Sequence, residues 1–309
     1  MRTRPALVTT AVTSALALAL TGCTTASQDT GGDAAAGTAA PAEGFDVSAV
    51  ETDDVLAAAV PAAVSEDGTL TIGSELTYAP VEFVAEDGQT PVGIDVDIAG
   101  AVAATLGLEA DIRSSTFDAI IPAIGSRYEA GFSAFTITPE RLETVNMISY
   151  FSAGSQFAVA EGNPDGIDPQ DLCGVTVGVQ TGTIQQDEVE KISAGCTDAG
   201  SDAVDVLPYD SQADVATNLA GGKLQAMYAD SPITAYAVQQ SGGALEPLGD
   251  VTDAAPYGVV VAKDDQALAE AIQGALQKLM DDGTLAEIAA SWGSADGALA
   301  TAELNPAEG

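Results

Sequence analysis

The first informative stretch is Val175-Thr176-Val177-Gly178-Val179, a short apolar run preceded by a glycine. A run this short and rich in β-branched residues predicts a strand buried on both faces, as in a parallel sheet. The chain then passes through Thr181-Gly182-Thr183 into a helical pattern over residues 184–192. A buried strand that leads directly into a helix is the repeating unit of an α/β fold.

The same alternation extends through the chain on both sides of this stretch. Strand patterns are predicted at 69–73, 110–113, 131–135, 226–229 and 258–262, and helix patterns at 99–106 and 117–124. Such alternation indicates mostly parallel sheets with helices on both faces. The folded body, about residues 68–294, is long enough for two domains of ~100 residues each.

The N-terminus has the layout of a secretory signal peptide. Arg2 and Arg4 precede an uncharged, mostly apolar run over residues 6–20, which ends in Leu20-Thr21-Gly22-Cys23. This ending resembles the lipobox of bacterial lipoproteins, in which Cys23 becomes the lipid-modified first residue; an ordinary export signal with an incidental cysteine is the alternative. The run is shorter than the ~20 residues of a membrane-spanning helix. We therefore expect an exported protein, lipid-anchored at the outer face of the cytoplasmic membrane or in the periplasm.

A flexible tether is predicted after the signal peptide of residues 1–22. Residues 24–44 consist mostly of Thr, Ala, Ser, Gly, Asp and Pro and offer almost nothing to bury. Apolar residues return between Val47 and Val64, where Pro61 interrupts them, and predict a short helix against the main body. The tether with its short helix is thus assigned to residues 23–66.

The chain is strongly acidic. It has 46 acidic and 9 basic residues, no histidine, and a formal net charge of −37. Because Arg2 and Arg4 leave with an acid-free signal peptide, the mature chain keeps seven bases and a net charge of −39. Such a chain repels phosphate backbones, which excludes nucleic acid as a partner. Its field also disfavours anionic ligands, although salt screens the effect.

Two cysteines remain once Cys23 is assigned to the lipid. Cys173 and Cys196 lie in an exported, oxidising setting, where a disulfide between them is expected. The bridge would contribute ~3 kcal/mol in the chain-entropy model. A zinc site is the alternative, but two thiols without histidine supply too few ligands, and no metal is expected.

A segment that begins at Gly93 carries a resemblance to a known family. It reads Gly93-Ile94-Asp95-Val96-Asp97-Ile98-Ala99-Gly100-Ala101-Val102-Ala103-Ala104-Thr105-Leu106 and resembles the signature of the family 3 extracellular solute-binding proteins, the polar-amino-acid receptors of ABC importers. Further motifs of the family follow in order: Thr136-Ile137-Thr138-Pro139-Glu140-Arg141, Val179-Gln180-Thr181-Gly182-Thr183, Ala229-Asp230-Ser231-Pro232, and Asp281-Asp282-Gly283-Thr284 with Ser291-Trp292-Gly293.

The resemblance implies a two-lobed clamshell of the periplasmic-binding-protein type. Each lobe would be a mostly parallel sheet flanked by helices: lobe 1 from residues 67–159 plus 253–309, lobe 2 from 160–252. Two hinge strands would cross between them, near 158–161 and 246–251. The ligand would lie between the lobes, where open α/β sheets place small molecules. The implied protein is a monomer that needs no cofactor and whose partner is an ABC transporter permease.

The resemblance also assigns residues to the carboxylate of an amino acid. Arg141 would clamp it, since a planar guanidinium suits a carboxylate bidentately; a surface arginine after a helix start is the alternative. Thr136 would offer its N–H and hydroxyl, and Ala134 its carbonyl. The N–H groups of Thr181, Gly182 and Thr183, where a strand passes into a helix, would form an anion site from the opposite lobe.

Four more residues are assigned to the rest of the ligand. Asp230 would accept from the α-ammonium, because Ser231 already supplies a helix N-cap. Tyr78 and Phe117 would be aromatic walls around the side chain, with core packing as the alternative. Glu75 would reach the side-chain tip. Asp95 and Asp97, by contrast, are expected only to favour the dipole of the helix they precede.

The same residues also bear on two alternative functions and on the choice of ligand. The chain lacks histidine and a nucleophilic serine elbow, which argues against an enzyme; a dehydratase acting on prephenate or arogenate stays open, because the fold has such members. A ligand-sensing lipoprotein is a third possibility. Aromatic walls and a nearby carboxylate favour a cationic or amide side chain. We expect arginine, lysine or glutamine before others, and acidic amino acids last.

Overall fold

The computed structural model describes residues 44–306 of the chain. The predicted signal peptide, the predicted lipid acceptor Cys23 and the tether up to residue 43 lie outside these residues. No helix between residues 44 and 306 is long and apolar enough to cross a membrane.

Two sheets of unequal size make up the β-structure. The strands of the described chain are β1 Thr69–Ser74, β2 Thr77–Tyr78, β3 Glu82–Val84, β4 Pro91–Val92, β5 Glu109–Ser114, β6 Ala130–Gly131, β7 Val145–Ala160, β8 Thr176–Gln180, β9 Asp205–Tyr209, β10 Ala226–Asp230 and β11 Leu245–Ala262. The large sheet has the order β5-β1-β6-β11-β7-β10-β8-β9, and the small one has the order β2-β3-β4.

The large sheet runs through both lobes of the molecule. At one end β1 pairs in parallel with β5 and β6, and at the other β8 pairs in parallel with β9 and β10. Between these halves β7 and β11 pair antiparallel, with register shifts on either side of Thr252. Residues 260–261 of β11 pair with β6, whereas residues 155–159 of β7 pair with β10. Two long strands therefore join the lobes; the predicted lobe boundaries themselves stay a prediction.

Helices cover the faces of the sheet. They are α1 Asp54–Ala57, α2 Ala62–Ser65, α3 Ile94–Thr105, α4 Phe117–Ala123, α5 Pro139–Thr144, α6 Ile184–Asp198, α7 Gln212–Ala220, α8 Ser231–Gln240, α9 Gln266–Asp281 and α10 Thr284–Ser291, with short 3₁₀ helices at Val47–Ala49 and Ala295–Gly297. The single short helix predicted before the body is wrong in detail, since a 3₁₀ helix, α1 and α2 occupy that segment. The α/β class is confirmed.

Helix α3 begins five residues earlier than the sequence pattern predicts. It starts directly after Gly93, whose φ of +131° and closeness to Val81 exclude a side chain: a Cβ there would collide with the Val81 carbonyl. Ile94 and Ile98 alternate with polar residues as a strand would, yet both are fully buried on a helix. Burial on almost every face explains why the helical period is hard to see in this sequence.

Asp97 of α3 binds two segments that lie far from it in the sequence. Its Oδ2 accepts the Phe45 N–H at 2.8 Å and the Trp292 Nε1–H at 2.7 Å. Nearby, Val47 packs against Gly100, where a Cβ would lie only 3.2 Å from the valine side chain. The part of the predicted tether that contains Phe45 and Val47 is therefore fixed to helix α3.

The predicted disulfide is confirmed. Cys173 and Cys196 are bonded, with their Cα atoms 5.6 Å apart. The bridge connects the loop before β8 to the end of α6 and packs with the apolar core that Val177 and Val189 form in lobe 2. A link of this span restricts the unfolded chain and stabilises the fold by about 3 kcal/mol in the chain-entropy model.

Candidate ligand-binding site

A small cavity lies between the lobes at the carboxyl ends of the strands. Ten residues line it: Tyr78, Phe117, Ala134, Thr136, Arg141, Gln180, Thr183, Ile184, Gln185 and Asp230. Seven of these were named from the sequence. Its free volume is about 10 Å³, room for about one water molecule. Polar groups from separate parts of the chain therefore meet in a nearly closed space.

Arg141 is positioned by the way α5 begins. Thr138 caps this helix, and its hydroxyl accepts the Arg141 N–H at 3.2 Å. The guanidinium then spans the two lobes: Nη1 donates to the Thr136 carbonyl at 2.8 Å and Nη2 to the Gly182 carbonyl at 3.2 Å. Two donors of the fork are thus held by backbone, which fixes the plane of the group.

Aromatic rings rather than carboxylates surround the guanidinium. Its Cζ lies 5.4 Å from the ring centre of Phe117 and 5.7 Å from that of Phe135, and the two rings stack on each other. Within residues 44–306 Arg141 makes no ion pair. Burial lowers the pKa of Arg141, and the charge of Asp230 opposes this shift. An arginine remains charged under these conditions, so its charge is available to an anion in the cavity.

Asp230 supplies the opposite charge from lobe 2. It is the last residue of β10 and makes no capping hydrogen bond to α8, as expected from the sequence. Its carboxylate accepts the Tyr78 hydroxyl at 2.9 Å and Gln185 Nε2 at 2.7 Å. Burial raises the pKa of Asp230 to about 6, although these hydrogen bonds and the charge of Arg141 lower it. The carboxylate is oriented by neutral donors and carries its charge at neutral pH.

The turn between β8 and α6 has fewer unpaired N–H groups than the predicted anion site requires. The Thr181 N–H donates to the Tyr209 carbonyl at 2.9 Å, and the Gly182 N–H donates to Gln186 Oε1 at 2.8 Å. Neither residue lines the cavity. Thr183 does, and its N–H has no acceptor among the residues that the structure describes. The predicted three-residue site is thereby reduced to the helix start at Thr183.

Glu75 lies behind the cavity lining rather than in it. The residue follows β1 and is buried, its Oε2 accepts Gln180 Nε2 at 3.0 Å, and its N–H donates to Ser133 Oγ at 3.0 Å. Burial raises the pKa of Glu75. Ser133 Oγ in turn donates to Glu82 at 2.9 Å, a carboxyl whose pKa burial and the Asp95 charge raise well above the usual range.

Ala134 has a backbone conformation that a side chain rarely adopts. Its φ is +48°, and its N–H donates to Asp95 Oδ2 at 2.8 Å. The Tyr150 hydroxyl contacts the same carboxyl at 2.7 Å. Asp95 is fully buried, and burial raises its pKa to about 7. The expectation that Asp95 only favours a helix dipole is incomplete, because it also holds the strained turn that lines the cavity.

The sequence prediction missed four residues of the site. Gln180 and Gln185 flank the turn before α6, and Gln185 Nε2 connects Asp230 with Ser155 Oγ at 2.8 Å. Ile184 lines the cavity, and Phe135 stacks on Phe117 behind it. Gln180 stands inside the motif at residues 179–183 and Gln185 two residues after it. The available signal was a polar side chain at the end of a buried strand.

Comparison with known proteins identifies the family. The profile of bacterial extracellular solute-binding proteins, family 3, matches residues 70–295. The arginine-binding protein ArgT of Corynebacterium glutamicum is 36% identical over 250 residues, which is 80% of this chain and 82% of ArgT.

Two solved structures have the same fold. An ancestral arginine-binding protein bound to arginine superposes with a TM-score of 0.68 at 33% identity and covers 73% of this chain and 98% of its own. An ancestral amino acid-binding protein that is a precursor of cyclohexadienyl dehydratase gives a TM-score of 0.67 at 28% identity, over 74% of this chain and 97% of its own. The two structures agree with the α/β architecture described above, and the profile and the relative show that the chain belongs to family 3 of the bacterial extracellular solute-binding proteins.

Proposed function

We propose that this protein binds an amino acid with a cationic or amide side chain, arginine first, and delivers it to the permease of an ABC importer. The observation that carries the proposal is the presence of Arg141 and Asp230 in one cavity, each contributed by a different lobe. An α-amino acid carries one negative and one positive group on the same carbon. A site with a guanidinium and a carboxylate is complementary to both.

The carboxylate of the ligand is assigned to Arg141 and Thr183. The two donors of Arg141 now directed at the Thr136 and Gly182 carbonyls make the guanidinium plane rigid. The Thr183 N–H at the start of α6 adds the positive end of a helix dipole. Donors from opposite lobes on one carboxylate favour the closed arrangement of the lobes.

The α-ammonium is assigned to Asp230. Its oxygens already accept from Tyr78 and Gln185, and a carboxylate can accept further hydrogen bonds. A bound ammonium also offsets the burial that raises the pKa of this carboxyl. Ligand charge therefore stabilises the ionised form of Asp230.

Preference for a cationic side chain rests on Glu75 and the aromatic residues. Phe117 and Tyr78 present ring faces, which attract a guanidinium. Glu75 lies close behind, held by Gln180, and a guanidinium that displaced this amide would pair with its carboxylate. The relative in Corynebacterium glutamicum is named as an arginine-binding protein, which supports the same assignment.

Transport is favoured over catalysis. One structural neighbour is a precursor of a dehydratase, yet it is itself named as an amino acid-binding protein. The chain has no histidine, and Asp230, the carboxyl with its pKa near 6, is committed to orienting an ammonium. Arogenate or prephenate that disappears in the presence of the purified protein would contradict this part of the proposal.

The first prediction concerns the ligand. Among the twenty amino acids, arginine should raise the melting temperature most, because ligand binding to the native state stabilises it by mass action. Glu75→Gln should weaken arginine binding about tenfold or more and leave glutamine binding within about threefold, since only the cation loses a charged partner. Titration calorimetry measures both. If glutamate or aspartate raised the melting temperature most, the proposed side-chain preference would be wrong, but the proposed site for the α-amino and α-carboxylate groups would still stand.

The second prediction concerns the carboxylate clamp. Arg141→Ala should reduce the affinity for arginine by about 2–5 kcal/mol, because the ligand carboxylate is left buried without its charged partner. Arg141→Lys should recover only part of the loss, since an ammonium cannot bind in a fork. Arg127→Ala is the matched control: Arg127 also lies over a ring, that of Tyr128, but is exposed and outside the cavity. Near-wild-type affinity for Arg141→Ala contradicts the assignment.

The third prediction concerns pH. Asp230 must be ionised to hold an ammonium, and its pKa is about 6, so affinity should fall about tenfold between pH 8 and pH 5. The stability of the fold responds to pH in the opposite sense. Because the pKa of Asp230 is higher in the native than in the unfolded state, its contribution to stability is complete below the unfolded-state pKa. That contribution is lost as pH rises through about 6. Asp230→Asn should therefore not lower the melting temperature at pH 7 but should remove most of the binding.

The control for this titration is a ligand without a cationic side chain. Glutamine does not require an ionised Glu75, so the pH profile of its binding reports on Asp230. A glutamine affinity that stays constant from pH 8 to pH 5, or a pH profile that Asp230→Asn leaves intact, would remove Asp230 from the ammonium site.

The location of the receptor is proposed from the N-terminus. We infer that Cys23 becomes lipid-modified and that the segment from Phe45 onward, fixed to lobe 1 through Asp97, leads to the anchor. Mass spectrometry of the mature N-terminal peptide should find acyl chains on Cys23. Cys23→Ser should release the protein into the medium or leave it uncleaved. An unmodified Cys23 on a cell-associated protein would disprove the anchor.

A further inference from the structure

A second cleft lies beside the interlobe cavity and has about 260 Å³ of free volume. Helices α7 and α8 of lobe 2 form most of it, and Thr77 and Ala79 of lobe 1 close one side. Tyr78 stands between these two residues and points into the first cavity. Because neighbours along an extended strand point to opposite faces, the two spaces lie on opposite sides of β2.

The cleft contains a buried amide without a partner. Gln212, the first residue of α7, lines the cleft and is only 2% exposed. Neither its Nε2 nor its Oε1 has a hydrogen-bond partner among residues 44–306. A buried amide that lacks both bonds destabilises the fold, and a group that supplies an acceptor and a donor together would satisfy both of its atoms.

The remaining residues that line the cleft indicate the chemistry of the rest of the ligand. No charged residue lines the cleft, and its surface is made largely of small and apolar side chains such as Ala216, Ala237, Ile233 and Leu245, with the Tyr236 ring beside them. A charged ligand would lose its hydration here without gaining a counter-ion. Its volume of about 260 Å³ is close to the lower end of the range for small-molecule sites.

We propose that this cleft is a second ligand site, which binds a small uncharged molecule bearing a carboxamide through Gln212. The carboxamide N–H₂ donates to Gln212 Oε1 while its oxygen accepts from Nε2, and the apolar remainder lies against the alanines of α7 and α8. The site is distinct from the amino acid cavity in place and in charge: one cavity holds Arg141 and Asp230, and the other holds no charged side chain.

Occupancy of the cleft is coupled to the amino acid site, a consequence that rests on the proposed function. Thr77 and Ala79 reach the cleft from lobe 1, while α7 and α8 belong to lobe 2. Helix α8 also starts directly after Asp230. A molecule that contacts both lobes favours their closed arrangement, and it should therefore raise the affinity for the amino acid, and the reverse.

Benzamide is the probe for this site, with benzoate as the charged analogue of the same shape and toluene as the apolar one. In NMR titrations of the mature protein, benzamide should give saturable shifts for residues of α7 and α8, while benzoate gives none and toluene binds more weakly. Gln212→Leu keeps the volume but removes the amide, and it should weaken benzamide binding by about tenfold. Gln239→Leu, the same change at an exposed position of α8 outside the cleft, should change nothing.

Ala213→Phe provides a second variant. Ala213 is exposed at the rim of the cleft, so a larger side chain there should fill the space without disturbing the core, and it should also abolish benzamide binding. Arginine should still bind to both variants. Saturating arginine should not displace benzamide but should increase the affinity of the protein for it several-fold.

The outcomes separate this site from the proposed function. Absence of saturable benzamide binding, or binding that neither Gln212→Leu nor Ala213→Phe weakens, overturns the second site. Competition between arginine and benzamide overturns it as well, because the probe then occupies the amino acid cavity. Saturable, Gln212-dependent benzamide binding in a protein that binds no amino acid would support the cleft and refute the proposed function.

Discussion

The antiparallel pairing of β7 with β11 is the constraint on which the molecule depends. These strands run through both lobes, so one ladder aligns β6 on one side with β10 on the other. The residues that line the cavity are placed by strand ends and turns on either side of this ladder: Ala134 and Arg141 from lobe 1, Asp230 and Thr183 from lobe 2. The register shifts around Thr252 lie in the middle of it.

Burial of carboxyl groups is the second organising feature. Glu75, Glu82, Asp95 and Asp230 are all buried, and burial raises the pKa of each. Arg141 is the one base that lines the cavity among the residues described. Acids therefore outnumber bases around the site, and a cation bound there would offset the burial that favours their neutral forms. The same groups also support the backbone, as the contact between Asp95 and Ala134 illustrates.

Short motifs made much of the site predictable, whereas regular patterns made the fold class predictable. The strand at 175–179 and the helix after it follow from β-branched residues and polarity alone, and the structure has them at Thr176–Gln180 and Ile184–Asp198. The predicted strand at 131–135 is much shorter: β6 ends at Gly131, and the left-handed conformation of Ala134 falls within the rest of the predicted range. The long strand β7 was missed as well: its burial pattern does not alternate, since both of its faces are covered along most of its length.

The sequence by itself determined the α/β class, the disulfide, the family and most of the charged groups of the site, because each depends on residues close together in the chain or on composition. The tertiary structure decided which of those groups meet. The N–H groups predicted to bind an anion are an example. The Thr181 N–H donates to Tyr209, which is distant in the chain, and the Gly182 N–H donates to Gln186, one helical turn away. Contacts such as Tyr78 with Asp230, 152 positions apart, exist only once the lobes are joined, and no local pattern in a sequence encodes which side chain will lie across a cleft.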